Sequence, residues 1–150
     1  MTLDQPFRSY RTIATQTAPP GQLVLMLFDG AIRFLEQALT GFSHEDPLEF
    51  NLTINNNIIR AQDILNHLDN SLDMAQGGEL AATLRRLYNY MHRQLTASNI
   101  RKSPEGIHDT LERLTILRSA WDEMLQQQNG RGPQSGPSPF QRSALEMNAP

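Results

Sequence analysis

Apolar residues recur along most of this chain at steps of three and four, the spacing that lines one face of an α-helix. The first such block spans about Pro20 to Leu39. Leu23, Leu27, Ala31, Phe34 and Ala38 form one stripe, and Val24, Phe28, Ala31, Leu35 and Ala38 a second. Leu25, Ile32 and Leu39 add a third, so this helix is apolar on nearly every side over its first two turns. A surface helix needs one apolar stripe, so a helix with three must be covered from several directions.

Three further blocks follow. Asp46-Pro47-Leu48-Glu49 reads as a helix start, with an acidic cap, proline in the first turn and glutamate three residues after the cap. The second helix then runs to about Leu72 through Ile54, Ile58, Ala61, Leu65 and Leu68. Its Asn55-Asn56-Asn57 run is a poor helix former, expected to weaken the early turns. Asp73 to Gly78 reads as a loop. A third helix covers about Glu79 to Asn99 with Leu80, Leu84, Leu87, Met91 and Leu95 on one face. Ser103-Pro104-Glu105 starts a fourth, carrying Ile107, Leu111, Leu114, Leu117, Trp121 and Leu125. The alternation of four and three suits helices packed at shallow angles, and the short connections make neighbours antiparallel. The expectation is an all-α protein: an up-down four-helix bundle over residues 19–127.

The flanks differ. Residues 1–18 hold Phe7, Tyr10 and Ile13 at steps of three, suited to covering an apolar groove when no partner fills it. Asn129 to Pro139 contains three glycines and three prolines, and residues 128–150 read as a disordered tail with a small apolar island at Phe140, Leu145 and Met147.

Composition narrows the function. The formal charge of −3 and scattered basic residues argue against nucleic-acid binding. The absence of cysteine removes disulfides, thiolate nucleophiles and cysteine-type zinc sites. The longest apolar run, Leu23 to Phe28, is far short of the ~20 residues that span a bilayer. With no signal-peptide pattern at the start, the expected location is the cytoplasm.

Candidate chemistry is sparse. A di-iron bundle needs Glu-x-x-His on two helices, and only Glu105-x-x-His108 matches. His67, His92 and His108 are candidates for phosphotransfer without any supporting pattern. No phosphate-cradling glycine loop occurs. The reading assigns no catalytic, metal or cofactor site and expects no enzyme. The unusual feature is surplus apolar surface: Ile59 and Ile64, Tyr88 and Tyr90, Ile116 and Met124 add to the main stripes. A thick core or a homodimer absorbs such surface in one reading. A groove for an apolar partner segment uses it in the other.

An ordered set of motifs sharpens this. Tyr10-x-x-Ile13 and Ala18-Pro19 precede Leu23-Val24-x-Met26-Leu27-Phe28-Asp29-Gly30-Ala31-Ile32. Ala61-Gln62-Asp63-Ile64-Leu65 and Leu68-Asp69 follow. Then come Gly77-Gly78-Glu79-Leu80-Ala81, Leu84-x-x-Leu87-Tyr88-Asn89-Tyr90-Met91, Leu95, Ser98-Asn99 and Trp121. This set resembles the flagellin-specific export chaperones of the FliS type from Tyr10 to about Leu125. Phe28, Asn89 and Ser98 depart from it, where the family commonly has tyrosine, an acid and alanine. The resemblance implies a cytosolic chaperone that binds the disordered C-terminal segment of flagellin, blocks its early polymerisation and delivers it to the flagellar type III export gate. A regulatory protein is a further possible partner, no membrane insertion is implied, and both a monomer and a weak homodimer fit. On this reading the partner-binding candidates are Tyr10 and Ile13, Leu27 and Phe28, Tyr88, Tyr90 and Met91, and Asn99. Asn99 also suits a helix C-cap, Asp29 and Gly30 suit close packing beside a polar contact, and Trp121 is placed in the core. The rival is a helical adaptor for another client; a metal-dependent bundle enzyme stands further behind.

Overall fold

The computed structural model describes residues 20–131, with side chains from 21 to 128. These form four helices: α1 (Pro20–Thr40), α2 (Pro47–Asn70), α3 (Met74–Arg101) and α4 (Glu105–Arg131). A 3-10 turn, Gly41–Ser43, follows α1. No strand occurs among the described residues. Each helix packs on two neighbours, α1 on α2 and α4, and α3 on α2 and α4, while the backbones of the diagonal pairs stay apart. Short connections put α1 and α3 in one direction and α2 and α4 in the other. The four-helix bundle is therefore present as the periodicity predicts. The segment 1–18, with Phe7, Tyr10 and Ile13, and the tail from 132 lie outside the described residues.

Local signals explain most boundaries. Asp46 is extended and its carboxylate accepts from Glu49 N at 3.0 Å, with Pro47 in the first turn. Asp73 caps α3 in the same way, accepting from Gln76 N at 3.0 Å. At the far end of α3, Lys102 adopts left-handed backbone (φ 51°, ψ 52°) and Ser103 N donates to Ser98 O at 3.1 Å, closing the last turn. That cap falls on Lys102 rather than on Asn99.

Three local features differ from the sequence expectation. The asparagine run does not weaken α2, because Ile54 and Ile58 on either side of it are fully buried, and packing of an apolar face outweighs propensity. The expected 73–78 loop is instead a helical turn, Met74–Gly77, separated from the body of α3 by Gly78 (φ 53°, ψ −130°). Only glycine adopts that backbone without strain. Finally, α4 runs to Arg131, through Asn129 and Gly130.

The main core is a cluster from all four helices, including Leu35, Ile58, Leu65, Leu95 and Leu114, and Leu25, Met124 and Leu125 form a smaller one between α1 and α4. Helices approach closely at the closed end, where α1 turns into α2 and α3 into α4. A Cβ on Gly41 would stand 2.8 Å from Ile54 Cγ1, and Phe42 meets Phe50 edge-on at 5.5 Å. A Cβ on Gly106 would stand 2.5 Å from the backbone oxygen of Gln94. That oxygen belongs to a helix and cannot step aside. Gly106→Ala is therefore expected to lower unfolding free energy by about 1–3 kcal/mol, the usual cost of overpacking. Thermal or urea denaturation checks it, and an unchanged midpoint would contradict the close approach.

Candidate functional site

At the opposite end the four helices do not close over the core. A cavity of about 340 Å³ lies there, lined by Val24 and Phe28 of α1, Leu68 and Leu72 at the end of α2, Leu80, Ala81, Leu84 and Tyr88 of α3, and Leu117 and Trp121 of α4. Its walls are apolar, with Ser71, Asp73 and Gln76 the polar groups at its edge. The size and character are those of a pocket for an apolar side-chain cluster.

Two features hold it in shape. Trp121 Nε1 donates to Gly21 O at 2.8 Å, fixing the indole against the first turn of α1. Gly78 offsets the Met74–Gly77 turn, which with Asp73 supplies Gln76 and Gly77 to the rim. Beside the pocket, Arg118 bridges α4 to α1 through Asp29 (Nε–Oδ1 2.8 Å) and also reaches Asp122 at 3.4 Å. The hydrogen bond to Asp29 holds the Arg118 guanidinium above its usual range, so it stays charged. A Cβ on Gly30 would sit 3.1 Å from Ile64 Cδ1, so Asp29-Gly30 combines a polar contact with close helix packing, as the sequence suggests.

The structure separates the described sequence candidates into four places. Phe28 and Tyr88 meet in the pocket, 3% and 4% exposed. Leu27 and Met91 are core residues; Met91 is fully enclosed and offers no surface. Tyr90 lies half-buried between α3 and α4, with Arg113 stacked 4.7 Å from its ring centre and Gln94 donating to its hydroxyl at 2.9 Å. Asn99 is near the closed end, donating to Asn55 Oδ1 at 2.9 Å and accepting from Lys102 Nζ at 2.5 Å. Tyr10 and Ile13 lie outside the described residues. The placement of Trp121 in the core needs correction: its ring packs on the core but also walls the pocket, because Gly21 lets α4 come close. Leu68, Leu72, Leu80, Leu84 and Leu117 read in sequence as ordinary core positions. For Leu72, Leu80 and Leu84 the only distinguishing signal is proximity to the Gly77-Gly78 break, and Leu68 and Leu117 carry none.

Other candidate chemistry gains nothing from the geometry. Among the described residues no three His, Asp or Glu side chains converge as metal ligands, and Glu105 and His108 are exposed. No described helix is long and apolar enough to cross a membrane.

Comparison with known proteins is decisive for family. The profile described as flagellar protein FliS matches residues 3–128. The chain belongs to the FliS family. It is 30% identical over 126 residues to the flagellar secretion chaperone FliS of Bacillus subtilis, covering 84% of this chain and 90% of that protein. The FliS chaperone of Vibrio cholerae is 32% identical, covering 71% and 76% of the two chains. That of Salmonella typhimurium is 33% identical, covering 74% and 80%. The FliS match includes every element that builds the pocket and ends before the tail.

Tyr88 gives a direct probe of the pocket. Burial first, and the nearby Asp69 second, push its hydroxyl well above the ordinary value of 10. The unfolded tyrosine ionises near pH 10, so this contribution to stability is complete below pH 10 and is lost as pH rises beyond it. Absorbance titration is expected to show Tyr88 ionising only as the chain unfolds. In Tyr88→Phe that step should vanish.

Proposed function

We propose that this protein is a cytosolic export chaperone that binds the disordered C-terminal segment of flagellin, keeps it from polymerising early and delivers it to the flagellar type III export gate. The observation that carries the reading is the apolar pocket at the open end of the bundle, lined from all four helices. Flagellin polymerises through apolar helical stripes, and an apolar stripe seated in this pocket is unavailable to another flagellin. A disordered client loses chain entropy on binding, so extensive contact still gives a moderate, reversible affinity. Reversibility suits a protein that must release its client at the export gate.

Phe28 and Tyr88 form the pocket floor in this reading, and Trp121, Leu72 and Leu80 its walls. Tyr90 and Asn99 serve contacts of a client that extends beyond the pocket, and Tyr10 and Ile13 remain proposed client or cap contacts. Leu27 and Met91 act indirectly, by supporting the floor from within the core. The adaptor reading shares the pocket and differs only in client.

Calorimetric titration with the C-terminal ~50–100 residues of flagellin from the same cell tests the proposal, a length chosen to include a segment that folds on binding. The expected result is one-to-one binding with a negative heat-capacity change. Leu80 lines the pocket without belonging to the packed core. Leu80→Ser should therefore weaken binding about tenfold, the ~1.4 kcal/mol expected for partial loss of a leucine contact, with little effect on stability. No binding by the wild-type chain would remove flagellin as client and leave the adaptor reading.

A further inference from the structure

Both ends of the described chain leave the bundle at the open end. Gly21 is bonded to Trp121, and α4 continues ten residues beyond Trp121 to Arg131, about 15 Å along the helix axis. The nine residues from Arg131 to Phe140 can span about 30 Å when extended. The segment around Phe140 can thus fold back to the pocket with slack to spare.

That segment has a pattern of its own. Ser138-Pro139-Phe140-Gln141 places a capping serine, a first-turn proline and a glutamine three residues after the cap. Phe140, Ala144 and Met147 then follow at steps of four and three, with Gln141, Arg142, Ser143 and Glu146, and one further apolar residue, Leu145, on the other sides. This is the form of a short amphipathic helix that enters an apolar groove. The family match ends at residue 128, so this device belongs to the chain beyond what defines the family.

We propose that the Phe140–Ala144–Met147 face docks in the open-end pocket of its own chain and holds it until a stronger ligand displaces it. Phe7, Tyr10 and Ile13 offer a rival face in segment 1–18. Steps of three fall about 60° short of a full turn each time, so those three side chains drift round a helix. Steps of four and three keep Phe140, Ala144 and Met147 on one side, which suits a single pocket better. The inference depends on the pocket and the tail, and not on which client the pocket receives.

Trp121 is the chain's one tryptophan and walls the pocket, so its fluorescence reads occupancy directly. The test compares the full-length chain with the double variant Phe140→Ser, Met147→Ser, whose changes lie outside the bundle; circular dichroism confirms that the helices persist. Trp121 emission should shift to the red and quench more readily with acrylamide in the variant. The flagellin segment should also bind it about two- to tenfold more tightly, because self-occupancy reduces the fraction of open pocket. Unchanged Trp121 emission and quenching would overturn the proposal. So would exposure of Trp121 by Tyr10→Ser, Ile13→Ser alone, which would give the pocket to the N-terminal segment. A shift that depends on protein concentration would assign the pocket to the tail of a second copy and overturn docking within one chain. The fluorescence arm uses no flagellin, so failure of the client reading and failure of this one are separable.

Discussion

The open end of this bundle depends on how closely α4 approaches the start of α1. Gly21 has no side chain, and a Cβ there would stand 2.5 Å from Leu125 Cδ2, so Leu125 would have to move. With glycine in place, the backbone oxygen of residue 21 meets the Trp121 indole at 2.8 Å. The indole is thereby held upright between the core and the cavity. On the facing side, Gly78 turns the first turn of α3 out of line with its body. One glycine draws α4 in and the other holds α3 back, and the space left between them is the pocket.

Glycine serves two opposite purposes in this bundle, close approach at Gly21, Gly41 and Gly106 and a broken helical path at Gly78. At the closed end, Gly41 and Gly106 allow helices to touch and leave no space. At the open end, Gly78 prevents contact by breaking the helical path. Lateral polar contacts set the register between these ends. Gln62 reaches across to His92 O and Thr96, Arg85 pairs with Asp69 at 3.1 Å, and Arg118 pairs with Asp29. Such half-exposed pairs add little stability individually, but they favour one alignment of helices whose apolar stripes could otherwise slide.

This arrangement explains the surplus of apolar residues in α1. A helix in a ring of four meets two neighbours and the central axis. Val24 and Phe28 face the axis where the core is incomplete, so they line a cavity instead of filling a core. Ile64 and Met124, also surplus by count, are buried. Ile59 and Ile116 remain exposed. Part of the surplus apolar surface in the sequence thus lines an apolar cavity, but the sequence did not say where that cavity lay.

The sequence by itself determined the four helices, the Asp46 cap and the antiparallel order. These follow from periodicity and from cap residues such as Asp46, which act within a few positions of themselves. Asp29-Gly30 was also legible, since an acid beside a glycine inside an apolar stripe has few other uses. The sequence did not determine that Phe28 and Tyr88 share a cavity while Met91 is sealed beneath, because all three sit on similar apolar faces. It did not place Trp121 at the pocket wall or the Met74–Gly77 turn on the rim. Those outcomes depend on where two helices approach and where a third is held away. Such distances are set by contacts between residues as far apart as Gly21 and Leu125, so only the tertiary structure decided them.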